Sequence, residues 1–598
     1  MPERDVTIIP ETPAPLDEAA TLLGVLGGAL KRFSSDDVAR TALLAALAGA
    51  GLIGFSTAEA YPANTVGERM AALSSLTDAL KGAKLVGYLP PWAGAVGADA
   101  ADHLNDSVNI KRFGLRTTNT GAQNVTAWNA AMAYAVTQSA AGIGVNMHIP
   151  RGLYDFDGNI VMGGANNLRI SGDGIDATRL RITHPTANFL TAWGDIYQGI
   201  DNLTLTSSVT RTAGAMFNTT GFWRRGFMFR VKIEKHFNGV DLFNFEQCAL
   251  METFIVSPTG LGTGLIAGNA AVSNQGAGLN LVSVFIRGND ELVPEGPAVG
   301  ARGIMIFDCE AVYGYSVDVS ATVNESMVVS PTFRSAFCFF TSCYFDVTVT
   351  GDNILFQGAG AKDRFQFSNC WFSGAGRFDG GAADKFGVRL GDVGTYADIK
   401  FTGSQFAGTS GPGLGAQTPQ PDVLVTGCTF NNCGLNTTLD TAVYASFGAV
   451  QTKSMQFSNC KFIPSAVTKD FLFTSNSRGN IITGCEMLRG LSYQGGAQFG
   501  AVSGNSDPNT SDTVASAGTM QIPVTKTSLD VSGTTAIGGL FRTFTGHRVD
   551  FTMLANVTWN NGGALVLRGG VNFAAVAGNV LTLRCRPDGT WQEVSRSA

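Results

Sequence analysis

The sequence predicts an all-β solenoid, a stack of short coils wound around an elongated apolar interior. Three observations carry the prediction. A short phrase recurs between residues 300 and 490: a polar residue or two, then Cys, then an apolar strand. It reads Phe307-Asp-Cys309, Thr341-Ser-Cys343, Phe367-Ser-Asn-Cys370, Thr426-Gly-Cys428, Phe457-Ser-Asn-Cys460 and Thr483-Gly-Cys485. Its cysteines fall 34, 27, 58, 32 and 25 residues apart, irregular multiples of one short unit with insertions between coils. Charge is sparse, at 15% of residues, while 74 Gly and 39 Phe supply tight turns and buried rings. Finally, 598 residues are too many for one compact core, so the chain must repeat or divide.

Composition also excludes functions. The net charge of −6 and the lack of a basic tract argue against a nucleic-acid partner. Ten cysteines in this length do not make a disulfide scaffold. Cys248, Cys309, Cys343, Cys370, Cys428, Cys460 and Cys485 lie in or beside apolar strands and are read as free thiols filling a core. Five scattered His and repeat-spaced Cys give no converging metal ligands. No signal peptide is recognised, and the Ala/Gly-rich run from Ala42 to Phe55 is shorter than a membrane span, so membrane insertion is not expected.

The elements follow in order. Residues 1–15 read as a flexible lead, and residues 16–50 and 62–82 carry helical periodicity, with Thr65 and Glu68 spaced as a capping pair. Tyr88-Leu-Pro-Pro-Trp92 reads as an extended linker closing a helical N-terminal module at 1–92. Residues 93–180 form a linker and coil cap. Val108–Gly114 is read as a strand, Thr126–Ser139 as an Ala-rich helix, and Val145–Tyr154 and Leu168–Gly174 as strands ending in turns. The shaft occupies 181–499, with strands at Ile200–Thr206, Phe227–Ile233 and Leu250–Ser257. Residues 500–520 are a polar linker within a C-terminal module at 500–598. Strands at Gln521–Val524, Val549–Leu554, Ala564–Arg568, Val580–Cys585 and Trp591–Val594 give that module a small antiparallel β fold.

The block Phe113-Gly114, Ile149-Pro-Arg-Gly-Leu-Tyr154 and Ile170-Ser-Gly-Asp-Gly174 resembles the start of the pectate-lyase-like parallel β-helices found in bacteriophage tailspikes and polysaccharide depolymerases. Leu115–Ala122 stands where that family carries a Gly- and Asp-rich loop. The resemblance implies a right-handed parallel β-helix with a helical N-terminal module, a short helix capping the first coil, and a small C-terminal antiparallel domain. It also implies a homotrimer carried on the virion and folded in the host cytoplasm. The N-terminal module, notably Ala63–Arg69, would attach to a phage tail or baseplate protein. The partner implied is a bacterial surface polysaccharide, capsule or lipopolysaccharide O-antigen, acted on without a cofactor. The C-terminal module would trimerise the shaft or bind sugar. Endo-acting hydrolysis is the activity expected; a polysaccharide lyase and a non-enzymatic receptor-binding fibre stay open.

Alternation nominates the catalytic pair. With Met305, Phe307 and Cys309 inward, Asp308 and Glu310 point outward about 6.6–7 Å apart along a strand. Inverting glycosidases hold a general acid and a base about 6.5–9.5 Å apart, with room for the attacking water. Asp318 and Glu325, on the same and the next coil, are further catalytic candidates, with Glu246, Glu252 and Asp346 behind them. A loop from Arg287 to Pro297 is placed to wall a sugar groove. Arg287, Arg302 and Arg334 are candidates to hold an acidic saccharide, and Tyr313, Tyr315 and Trp371 to stack on sugar rings; Trp223-Arg224-Arg225 is another contact. No phosphate-binding Gly-rich loop with a helix behind it, and no Gly-x-Ser-x-Gly elbow, competes with this chemistry.

Overall fold

The computed structural model describes residues 108–193, 196–269, 276–289, 299–376, 384–391, 393–418, 421–435, 439–446, 454–463, 469–474, 477–487, 491–493, 498–503, 505, 513–523 and 526–597, together with four short strands nearer the N-terminus. Two compact units divide the chain, Met1–Val108 and Asn109–Ala598. In the first unit Leu22–Leu26 pairs antiparallel with Ala29–Phe33, and Gly87–Tyr88 with Ala98–Asp99. The helix expected across residues 16–50 is therefore corrected to paired strands at 22–26 and 29–33, and the rest of that segment lies outside the described residues. The segment expected as a helix at 62–82 lies outside the described residues.

The second unit opens on a cap. Val108–Asn109 is strand, and Ile110–Phe113 is a 3₁₀ turn rather than the continued strand expected, with the Asn109 side chain accepting from Lys111 N. The helix Gly121–Ala140 begins in a capping box between Thr120 and Gln123. It buries Asn124, Ala127, Trp128, Ala131, Met132 and Ala135, one stripe of a 3.6-residue period. Trp128 donates to Val161 O (2.9 Å) and meets Phe156 edge-on, which closes the open end of the first coils.

From Val145 to Ser503 successive coils pair in parallel, strand on strand. A full coil carries three strands, as in Glu310–Tyr315, Asp318–Thr322 and Met327–Val329. These belong to a first, second and third face, and the third face alone is a 13-stranded parallel sheet. Repeated parallel crossovers of this kind make a β-solenoid, and such crossovers take the right-handed sense. Inside, like side chains stack from coil to coil. Phe345, Phe372, Phe406, Phe430 and Phe462 form one column, with ring centroids 5.7, 4.9, 4.6 and 4.8 Å apart. Phe340, Phe367 and Phe401 form another.

The recurring phrase marks the corner between the first and second faces. Ser283, Ser316, Ser342, Asn369, Gly403, Gly427, Asn459 and Gly484 have φ of 52° to 63°, the left-handed region that Gly and Asn tolerate best. The next residue turns inward and is buried: Val284, Val317, Cys343, Cys370, Ser404, Cys428, Cys460, Cys485. Coils measured between these positions from Val317 to Cys485 run 24 to 34 residues. Cys309 is not in the column; Val317 holds that place in its coil. All ten cysteines are free and buried, and burial pushes the Cys428 thiol up to about 12.

Toward the C-terminus a second apolar core gathers Leu529, Phe551, Trp559, Leu581 and Trp591. Arg548–Met553, Val580–Cys585 and Trp591–Arg596 pair antiparallel, including the terminal hairpin, while Ser528–Ser532 joins in parallel. The strand expected at Gln521–Val524 is instead a pair of residues, Thr519–Met520.

Candidate functional site

The second face carries one outward column through five coils. Cα partners run Phe254, Phe285, Asp318, Tyr344, Trp371. Their strand neighbours Ile286, Val319, Phe345 and Phe372 point inward and are buried, so alternation fixes the column outside. Phe254 and Tyr344 are exposed, Phe285 and Trp371 half-buried, and the Phe254 and Phe285 rings sit 6.3 Å apart. Asp318 is the one carboxylate in this aromatic run. A parallel column two residues along reads Arg287, Ser320, Asp346, Ser373.

Asp318 and Asp346 are diagonal neighbours. One ladder spacing of ~4.8 Å and two residues of rise put their Cα atoms about 8 Å apart. Asp318 is pushed up to about 6, first by burial, then by the Asp346 charge, against the opposing pull of Arg287 and a hydrogen bond with Ser320. Asp346 accepts a hydrogen bond from the Ser373 hydroxyl. A carboxyl group with raised affinity for its proton, beside a second carboxylate that accepts from a hydroxyl, is a pairing that general acid–base chemistry can use.

The pair nominated by alternation is corrected. Met305 and Phe307 are not inward; Ile304 and Ile306 are, and their strand ends at Ile306. The chain then turns the corner from third face to first, and Asp308 is fully buried inside that turn. Its carboxylate accepts from the backbone N–H of Thr332 (3.0 Å), Phe333 (2.6 Å) and Arg334 (2.7 Å), the same corner one coil on. The carboxylate thus pairs three backbone N–H groups of the next coil, and the acid is spent on the fold. Glu310 opens the next strand and does not share one with Asp308.

The other nominated residues scatter. Arg334 bridges Glu310 (2.9 Å) and Asp363 (2.8 Å) on the first face, with its guanidinium over Phe337. Tyr313 stacks on Phe339 at 5.8 Å, and exposed Tyr315 stands beside the Ser316 corner that leads to Asp318. Glu325 lies on the turn from second to third face, paired with Arg302 at 2.9 Å. Glu246 pairs with Arg224 and Glu252 with Arg230. Trp223 is corrected from a surface contact to a core residue: it is fully buried and donates to Gln198 O. Arg225 donates to the Tyr197 hydroxyl and to Gln247. Residues 290–298 of the expected groove loop lie outside the described residues. Phe254 and Phe285 went unnominated, although their two-residue offset from buried partners was readable once the coil register was known. No group of three or more metal-ligating side chains occurs among the described residues.

With this geometry in hand, comparison with known proteins adds distant likenesses. No protein-family model matches the chain, and no curated protein matches it. Among solved structures, the Azotobacter vinelandii mannuronan C-5 epimerase AlgE4 A-module is 13% identical, with a TM-score of 0.46 over 61% of this chain and 97% of that one. A double mutant of the tailspike protein of E. coli bacteriophage HK620 is 11% identical, with a TM-score of 0.46 over 86% of this chain and 90% of that one. The catalytic unit of a GH87 α-1,3-glucanase from Streptomyces thermodiastaticus is 13% identical, with a TM-score of 0.41 over 71% of each chain. These likenesses are to the solenoid, and no single family is assigned by them. Among the described residues no helix is long and apolar enough to cross a membrane.

Proposed function

We propose that this chain is the polysaccharide-binding and polysaccharide-cleaving shaft of a tailspike, an endo-acting hydrolase with its active site on the second face. The observation that carries the proposal is Asp318, a carboxyl group raised to about 6 in the middle of an outward aromatic column, with Asp346 on the diagonal. The four aromatics supply platforms for consecutive sugar rings over ~19 Å of the axis, at ~4.8 Å per coil.

In the reaction proposed, protonated Asp318 donates to the glycosidic oxygen as the bond to the anomeric carbon breaks. The Asp346 carboxylate takes a proton from a water attacking that carbon from the opposite side. The anomeric configuration inverts, the outcome of an acid and a base acting from opposite sides with a water between them. Exchange with solvent then restores both protonation states. Trimer formation and attachment to a tail or baseplate protein through residues 1–92 belong to the same proposal and rest on the sequence resemblance.

The test is to incubate the purified full chain with a panel of bacterial capsules and O-antigens and follow chain length. New reducing ends without ultraviolet absorbance support hydrolysis. Absorbance from an unsaturated uronate replaces it with a lyase, and binding without shortening replaces it with a receptor-binding fibre.

A further inference from the structure

Three arginines were nominated to meet an acidic sugar, and the fold has already neutralised two. Arg302 is held by Glu325 at 2.9 Å, and Arg334 by Glu310 and Asp363 at 2.9 and 2.8 Å. Arg287 is different. Among the described residues no carboxylate comes within ion-pair distance of it, and its buried Nε has no hydrogen-bond partner. Its guanidinium lies 5.9 Å from the centroid of Phe285, the aromatic directly below Asp318 in the outward column. Its Cα pairs with Ser320, which pairs in turn with Asp346. Arg287 therefore stands one coil from Asp318, ~4.8 Å along the axis, and two coils from Asp346.

Arg287 acts on Asp318 through space but forms no ion pair with a carboxylate among the described residues, and its planar fork suits a carboxylate brought by a ligand. The rest of the surface does not favour one. The chain carries a net charge of −6, so an acidic polymer approaching it needs a local cation to settle on.

Resting on the active-site reading above, we infer that Arg287 and the Phe285 face form a subsite for an acidic sugar, a uronate or another carboxylate-bearing residue, on the Asp318 side of the bond that is cut. The ring of that sugar lies on Phe285 and its carboxylate meets the Arg287 fork. Selectivity is then for acidic over neutral polysaccharide, with the acidic residue one unit from the scissile bond on the leaving-group side.

The experiment uses acidic capsular polysaccharides, each tested as isolated and after chemical reduction of its carboxyl groups to alcohols, against the full chain, Arg287→Gln and Asp318→Asn. Binding is read by titration calorimetry and cleavage by reducing ends. The expected result is that carboxyl reduction weakens wild-type binding at least tenfold, that Arg287→Gln loses as much on the native polymer, and that Arg287→Gln no longer distinguishes the two forms. Asp318→Asn keeps the preference in binding while losing cleavage. Preference without any cleavage leaves the subsite standing and removes the hydrolase reading. Cleavage that depends on Asp318 but is indifferent to carboxyl reduction and to Arg287→Gln overturns the subsite alone. Failure to bind any acidic polymer also overturns it.

Discussion

Two aspartates of the solenoid, Asp308 and Asp318, are withdrawn from solvent to different degrees and meet opposite surroundings. At the corner between third and first faces, Asp308 is fully buried and accepts three backbone N–H groups from the next coil. On the second face, Asp318 is half-buried between aromatics, hydrogen-bonded to Ser320 and close to a second carboxylate. The corner acid stabilises the stacking of coils because its charge is fully met. The face acid binds its proton more tightly than usual because burial and the Asp346 charge outweigh the pull of Arg287 and Ser320. Burial alone does not mark a catalytic group; what surrounds the oxygens does.

The sharpest way to break this comparison is to remove each charge in turn. Asp318→Asn is expected to slow cleavage about 10²–10⁴-fold, the range for loss of a general acid. Asp308→Asn should leave the rate of the folded protein within about threefold, since it is not at the proposed centre. Wild-type cleavage should fall as pH rises through about 6, because Asp318 must carry the proton that it donates. A rate that keeps rising to pH 8 removes Asp318 as the acid. The converse effect is on stability: Asp308→Ala leaves three corner N–H groups without their acceptor and should cost about 3 kcal/mol in denaturant unfolding. Equal unfolding curves for Asp308→Ala and wild type would sink the latch assigned to that corner.

Smaller changes sharpen the same contrast. Tyr344→Ala removes an exposed platform above Asp318 and should raise KM about tenfold with kcat little changed, as for lost binding common to substrate and transition state. At the left-handed corner position, Asn369→Ala should cost about 1 kcal/mol, while Asn369→Gly should be close to neutral. Neither corner change should alter KM.

The sequence showed the coils more clearly than the site. Asn369-Cys370, Gly427-Cys428 and Asn459-Cys460 were legible because one corner demands a left-handed backbone and then a small inward side chain. Cys309 fitted the phrase but sits at a different corner, so the spacing of 34 before Cys343 was not one coil. The same slip misread which side chains of residues 304–310 face outward. Alternation was carried straight through residues 304–310, where the chain turns after Ile306, and inside and outside were exchanged. A period-two pattern holds only within a strand, and a strand of five residues leaves little margin. Asp318 was among the nominated residues, yet its neighbours Tyr344 and Phe285 lie 26 and 33 residues away in sequence. Only the ladder register brings them together. The paired strands at 22–26 and 29–33 were missed because short apolar runs satisfy helical and extended periodicities alike.

The most direct test is a structure of Asp318→Asn bound to an oligosaccharide from a polymer that the wild type shortens. The account predicts density for sugar rings along Phe254, Phe285, Tyr344 and Trp371, with a glycosidic oxygen within hydrogen-bond reach of residue 318 and a water beside Asp346. Sugar bound on the first or third face, or at the Asp308 corner, would contradict it.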